Sequence, residues 1–169
     1  MEHFEEVYDF YSEMVYNIAL NYVQQQQDAE EITQDVFIKI YKKKSLFEER
    51  SSLTTWIYRI TINTSLDFLR SKKRRPILTA LFSSQYNQPE KSEWRHAGVL
   101  LEEKEGYDAL FNALNQLPDK QKTAIILLKV EGLSQKEASL VLNISVKGLE
   151  SLFHRAKNNL RLLLIEGNK

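Results

Sequence analysis

Cysteine is absent from the 169 residues, which excludes a disulfide framework, thiolate zinc sites, a cysteine nucleophile and a thiol sensor within the chain. Glycine and proline are scarce, at five and three, so few positions break a helix or offer an easy left-handed turn. No apolar run approaches the roughly 20 residues that span a bilayer, and the N-terminus lacks the basic-then-apolar pattern of a secretory signal. A cytoplasmic protein with no membrane insertion is expected. An excess of one charge is missing too, since 23 basic and 23 acidic side chains cancel. What is present is a chain of helix formers with apolar residues at helical spacing, so the expected fold class is all-α. The length suits two small domains better than one.

The zero net charge conceals a separation. Residues 1–49 carry −7, 50–75 carry +6, 76–118 carry −3 and 119–169 carry +4. Two basic regions flanked by acidic ones point to two sites for a polyanion and to acidic surfaces suited to a basic protein partner. Helices are expected over 2–24, 28–44, 54–73, 107–115, 119–130, 134–142 and 146–165. Between them, 76–106 reads as a linker: it is polar, holds two prolines and has no sustained period. Its apolar residues Ile77, Leu78, Leu81, Phe82 and Trp94 are more than a solvated linker needs, so part of it is expected to dock on a domain or a partner. The domains are therefore 1–75 and 107–169, joined by that linker.

The segment 133–164 has the parts of a helix-turn-helix. On a wheel of about 100° per residue, Val146, Leu149, Leu152, Phe153, Ala156, Leu160, Leu163 and Leu164 fall within an arc of about 120°, a face that must be buried. Lys147, Ser151, His154, Arg155 and Asn158 occupy the opposite side, and all can donate to phosphates or base edges. In the preceding helix Leu133, Ala138, Val141 and Leu142 face inward, with Ala138 small enough for close helix crossing. Asn143 suits the left-handed turn and Ser145 the cap of the next helix. A helical hairpin with a solvated polar face would use the same residues.

A second stripe lies on the helix from residue 54. Trp56, Arg59, Asn63, Asp67, Arg70 and Arg74 share an arc of about 80°, opposite Ile57, Tyr58, Ile62, Leu66, Phe68 and Leu69. The stripe ends in the cluster Arg70, Lys72, Lys73, Arg74 and Arg75, suited to phosphates. The loop LFEERSSLTT before it supplies hydroxyls at Ser51, Ser52 and Thr55 beside apolar edges, the mixture an unstacked base requires. An N-cap at Thr54 or Thr55 explains the same loop.

Three segments, DAEEITQDVFIKIYKK (28–43), FEERSSLTTWIYRITINTSLDFLRSKKRR (47–75) and ISVKGLESLFHRAKNNLR (144–161), resemble, in this order, the extracytoplasmic-function sigma factors of bacterial RNA polymerase. The resemblance implies two helical domains, the first binding core polymerase and melting the minus-ten element, the second reading the minus-thirty-five element as duplex. It places Asp28, Glu31, Gln34, Asp35 and Ile38 at the polymerase, and Ser51, Ser52, Thr55, Trp56, Arg59, Asn63, Arg70 and Arg74 at minus-ten DNA. Lys147, Ser151, His154, Arg155 and Asn158 go to minus-thirty-five DNA. It implies an anti-sigma partner and no cofactor. The chain departs from the family at Leu53 and at Glu48 or Glu49, where an aromatic and a glycine are frequent, and at Glu150 and Leu152, where basic residues are frequent.

Two other functions compete. An enzyme would need a catalytic constellation, yet Glu31 and Asp35 have no accompanying Glu-x-x-His, and His3, His96 and His154 lie far apart in sequence. A helix-turn-helix regulator that binds duplex without polymerase would leave the Trp56 to Arg74 stripe without a purpose. A sigma factor with no catalytic or metal site is the expectation.

Overall fold

The computed structural model describes residues 4–43, 47, 51–82 and 101–166, with the backbone alone over 75–82 and 101–105. The described elements are all helical. They fall into two compact units, Met1–Trp94 and Arg95–Lys169.

The first unit holds α1 (Phe4–Val23), α2 (Gln26–Lys43) and α3 (Leu53–Phe82), each packed on the other two. Only Gln24 and Gln25 separate α1 from α2. Gln24 takes φ 59°, a left-handed turn unusual for glutamine, and its amide donates to the Leu20 carbonyl at 2.8 Å. The 3.6-residue spacing then delivers Val15, Ala19, Ala29, Ile32, Val36, Ile40 and Ile57 to one buried cluster. At about 1.5 to 3 kcal/mol for each buried aliphatic side chain, this cluster supplies most of what orders the three helices.

α3 differs from expectation in two ways. It buries Thr61, Thr64 and Ser65 as well as Ile57, Tyr58 and Ile62. Their hydroxyls donate to the carbonyls of Ile57, Ile60 and Thr61 at 2.9, 2.8 and 2.9 Å, so small polar groups enter the core already satisfied. The helix also passes the expected end at 73 and runs through Pro76 to Phe82. A proline removes one helical donor and does not by itself end a helix. Residues 83–100, including Trp94, lie outside the described residues, as do the side chains of Ile77, Leu78, Leu81 and Phe82.

The second unit holds α4 (Leu101–Gln116), α5 (Asp119–Ile125), α6 (Gln135–Leu142) and α7 (Val146–Glu166). The expected single helix 119–130 is instead α5 followed by a π turn over Ile126–Val130, in which the Glu131 amide reaches the Ile126 carbonyl at 2.9 Å. Gly132, at φ +66°, ends it. Leu114, Leu117, Ile125 and Ala156 form the centre of the unit, with Phe111, Phe153, Leu160 and Leu163 packed around them. Ala138 is fully buried on α6, which packs on α7.

α6 begins at a capping box. The Ser134 hydroxyl accepts from the Glu137 amide at 3.2 Å, and the Glu137 carboxylate accepts from the Ser134 amide at 2.9 Å. Those bonds hold the Glu137 carboxyl below the usual carboxylate range. Asn143 closes the helix at φ 53°, ψ 47°, and the Ser145 hydroxyl accepts from the Gly148 amide at 3.1 Å, as the sequence led one to expect.

Candidate functional site

Within the second unit, the spacing that buries Leu149 and Ala156 turns Lys147, Ser151, His154, Arg155 and Asn158 outward, and all five are exposed. Short local bonds steady this row: Ser151 donates to the Lys147 carbonyl at 3.1 Å, Arg155 Nε to the Ser151 carbonyl at 3.3 Å, and the Asn158 amide lies 3.2 Å from His154 Nε2. Arg155 is thereby tethered by Nε, leaving its terminal nitrogens directed at whatever lies above the helix. Glu150, Ser151, His154 and Arg155 line a shallow open depression. Glu150 adds one acceptor to an otherwise donor-rich surface. Nearby, the ammonium groups of Lys129 and Lys157 sit 5.8 and 5.3 Å from the Phe153 ring centre, keeping two more cations on this unit's surface. Val146 departs from the expected buried arc, because it stands at the first position of α7 and is 39% exposed.

In the first unit the α3 stripe is more mixed than its wheel. Asn63, Arg70 and Arg74 are exposed and Arg59 is half-buried. Trp56 is not an open stacking surface: it is half-buried against the core, with its ring 5.3 Å from that of Phe47. At the head of the helix the N-cap is Ser52, not Thr54 or Thr55, for its hydroxyl accepts from the Thr55 amide at 3.1 Å. Thr55 is only 8% exposed, its hydroxyl 2.8 Å from that of Ser52. The Tyr11 hydroxyl meets Thr54 at 2.9 Å. Ser51, Ser52, Phe47 and Trp56 thus gather at one end of the stripe, while Glu48 and Glu49 lie outside the described residues.

On α2, Glu31, Gln34, Asp35 and Ile38 are exposed, opposite the buried Ala29, Ile32, Val36 and Ile40. Ile38 is 50% exposed and Tyr41, one turn on, 55%. An aliphatic and an aromatic group in a row of carboxylates form an apolar anchor with a charged rim. Asp28 has a different setting. Its carboxylate holds the Lys72 ammonium of α3 at 2.5 Å, and the same ammonium donates to Gln25 Oε1 at 2.9 Å. Sequence reading could not see this contact, which joins positions 44 and 47 residues apart. It also missed Lys39, which donates to Thr64 at 3.1 Å and ties α2 to α3.

These geometries define a helical protein with a donor-lined recognition helix in one unit and, in the other, a basic stripe and an acidic, apolar-anchored helix face. Residues 7–75 match the family model of Sigma-70 region 2, and residues 107–160 that of Sigma-70, region 4. The chain is 31% identical over 162 residues to the ECF RNA polymerase sigma factor SigW of Bacillus subtilis, covering 94% of this chain and 87% of that one. It is 30% identical over 160 residues to the RNA polymerase sigma factor SigZ of the same organism, covering 95% and 86%. Among solved structures, the sigma factor RpoE of Bartonella quintana in complex with the anti-sigma factor NepR shares the fold, with a TM-score of 0.67, 23% identity and coverage of 97% and 98%. CnrH in complex with the cytosolic domain of CnrY does so at 0.66 and 21%, covering 96% and 88%. The chain belongs to the extracytoplasmic-function RNA polymerase sigma factors. Such proteins are transcription initiation factors, not catalysts. No described helix is long and apolar enough to cross a membrane.

Proposed function

We propose that this sigma factor acts in the cytoplasm through three surfaces, has no catalytic activity of its own, and directs core polymerase to specific promoters. The reading favours an organisation in which residues 1–75 bind polymerase and open the minus-ten element, 76–106 link, and 107–169 read the minus-thirty-five element. Core polymerase docks on Glu31, Gln34, Asp35 and Ile38, where an exposed isoleucine among carboxylates is the observation that carries the assignment. Of the five residues the resemblance assigns there, Asp28 contributes least, since Lys72 occupies its carboxylate.

The melted minus-ten strand lies along Arg59, Asn63, Arg70 and Arg74, with an unstacked base near Ser51, Ser52 and the half-buried Trp56. Thr55 supports that corner through its bond to Ser52 and offers little surface of its own. Lys147, Ser151, His154, Arg155 and Asn158 enter the duplex major groove at minus-thirty-five. An anti-sigma factor is the expected restraining partner, as two fold relatives were solved in such complexes. A helix-turn-helix regulator without polymerase would not use the α2 face or the α3 stripe. Run-off transcription with purified core polymerase on genomic fragments tests the proposal. Promoter-dependent transcripts requiring this chain are expected; duplex binding with no dependence on core would replace it with the regulator.

A further inference from the structure

The end of α3 offers a run of cations, yet they are not equally available. Lys73 and Arg74 are exposed. Arg70 pairs with Asp67 at 3.1 Å, with both side chains more than half exposed, a contact that water and phosphate easily replace. Lys72 is different. Its ammonium is gripped by Asp28 and by the Gln25 carbonyl oxygen, both from the start of the neighbouring helix, and the Asp28 side chain is only 16% exposed. A phosphate approaching Lys72 must compete with a carboxylate already in contact, and would leave that half-buried carboxylate without its counter-ion.

We infer that Asp28 is the internal counter-ion of Lys72 and withholds this cation from nucleic-acid phosphate, so that α3 binds a strand with one contact fewer than its sequence offers. The inference rests on reading α3 as the strand-binding helix. It gives Asp28 a role in setting DNA affinity from a helix whose exposed face is turned to another partner. Because Asp28, Glu31, Asp35 and Ile38 follow one another at spacings of three, four and three residues, the withheld cation is under the control of the same face proposed to meet polymerase.

The discriminating fact is a sign. If the clasp withholds Lys72, removing the Asp28 charge strengthens strand binding through Lys72; if Asp28 serves only another surface, strand binding does not depend on Lys72 in this way. The full-length chain, its Asp28→Asn, Lys72→Met and doubly substituted forms are titrated with labelled oligothymidine of about 20 nucleotides over about 50 to 200 mM salt. Asp28→Asn is expected to bind about threefold more tightly at the low-salt end, with a salt slope steeper by about 0.7, the value of one added phosphate contact on a single strand. Lys72→Met should match the wild type, and the double variant should match Lys72→Met. Weaker binding by Lys72→Met overturns the inference, because Lys72 would then already hold phosphate. A gain that survives in the double variant overturns it too, as a general charge effect, and so does an unchanged or undetectable affinity in Asp28→Asn. Asn63→Ala and Arg59→Ala in the same titration separate the two readings: unaltered binding by both removes the stripe from the strand site, whatever the clasp does.

Discussion

Each base or phosphate contact in this protein is carried by a few side chains whose backbone is fixed by burial elsewhere. Arg155 and Lys147 project from a helix anchored by Leu149 and Ala156, so truncating either leaves the scaffold intact. Arg155→Ala is expected to weaken minus-thirty-five binding by about 1 to 3 kcal/mol if it reads a base edge; Lys147→Ala should mainly flatten the salt dependence. Footprints of the two variants equal to the wild type would put the recognition face elsewhere. Lys122 poses the opposite case. It is 3% exposed, with its ammonium donating to Asn115 Oδ1 at 2.6 Å. Burial lowers its pKa from 10.5 to about 8, with Asp119 opposing the shift. Between those values the unfolded chain holds a proton that the folded chain has released, so stability rises with pH across that window and is flat below it. The gain attributable to Lys122 is at most about 3 kcal/mol. Chemical denaturation of wild type and Lys122→Met from pH 7 to about 10.5 checks it, as the difference between the two should shrink or reverse as pH rises.

At the scale of elements, α7 depends on one buried residue more than on its propensity. Leu149→Ala should cost about 2 to 5 kcal/mol, a large part of the roughly 5 to 15 kcal/mol that holds a small domain together. Loss of the second unit's cooperative melting with the first unit's transition retained is the expected result. A smaller step, Ser134→Ala, removes one side of the capping box and should cost about 1 kcal/mol. The elements were legible in sequence wherever a residue type has a single strong local reason. Ser134, Asn143 and Ser145 do what their chemistry dictates at helix ends, and the apolar spacing of α2 and α7 located their buried faces. It was not legible where tertiary packing chose among equals. Nothing local marks Gln24 for a left-handed turn, Thr61, Thr64 and Ser65 for burial, Lys122 for the interior, or Ile126–Val130 for a π turn. The candidate sites divide the same way: the α7 row follows from one helix wheel, whereas Asp28 changes its meaning once α3 is packed beside it.

For the whole molecule, the neutral total charge is a sum over surfaces with separate tasks. The acidic α2 face and the basic α3 stripe belong to one unit and are offered to different partners. Reversing charge at Asp35 together with Glu31→Lys should therefore weaken core polymerase binding and leave helicity unchanged. If the contact is buried on docking, the loss is about 2 to 5 kcal/mol; if it stays at the rim, it is smaller and salt-dependent. Unchanged affinity in a titration with core polymerase would move that interface off α2.

The π turn at Ile126–Val130 gives the helix-turn-helix a hidden sensitivity to length. A π turn spends about five residues where an α turn spends fewer than four, so this stretch contains a residue that the path of the helix does not need. Evolution can remove it without breaking any hydrogen-bonded turn, but each residue of an α-helix is about 100° of rotation. A one-residue deletion here would act less as a shortening than as a dial, swinging everything after Gly132 around the axis of α5. Relatives of different spacing in this stretch would then share the same recognition side chains and aim them at different azimuths.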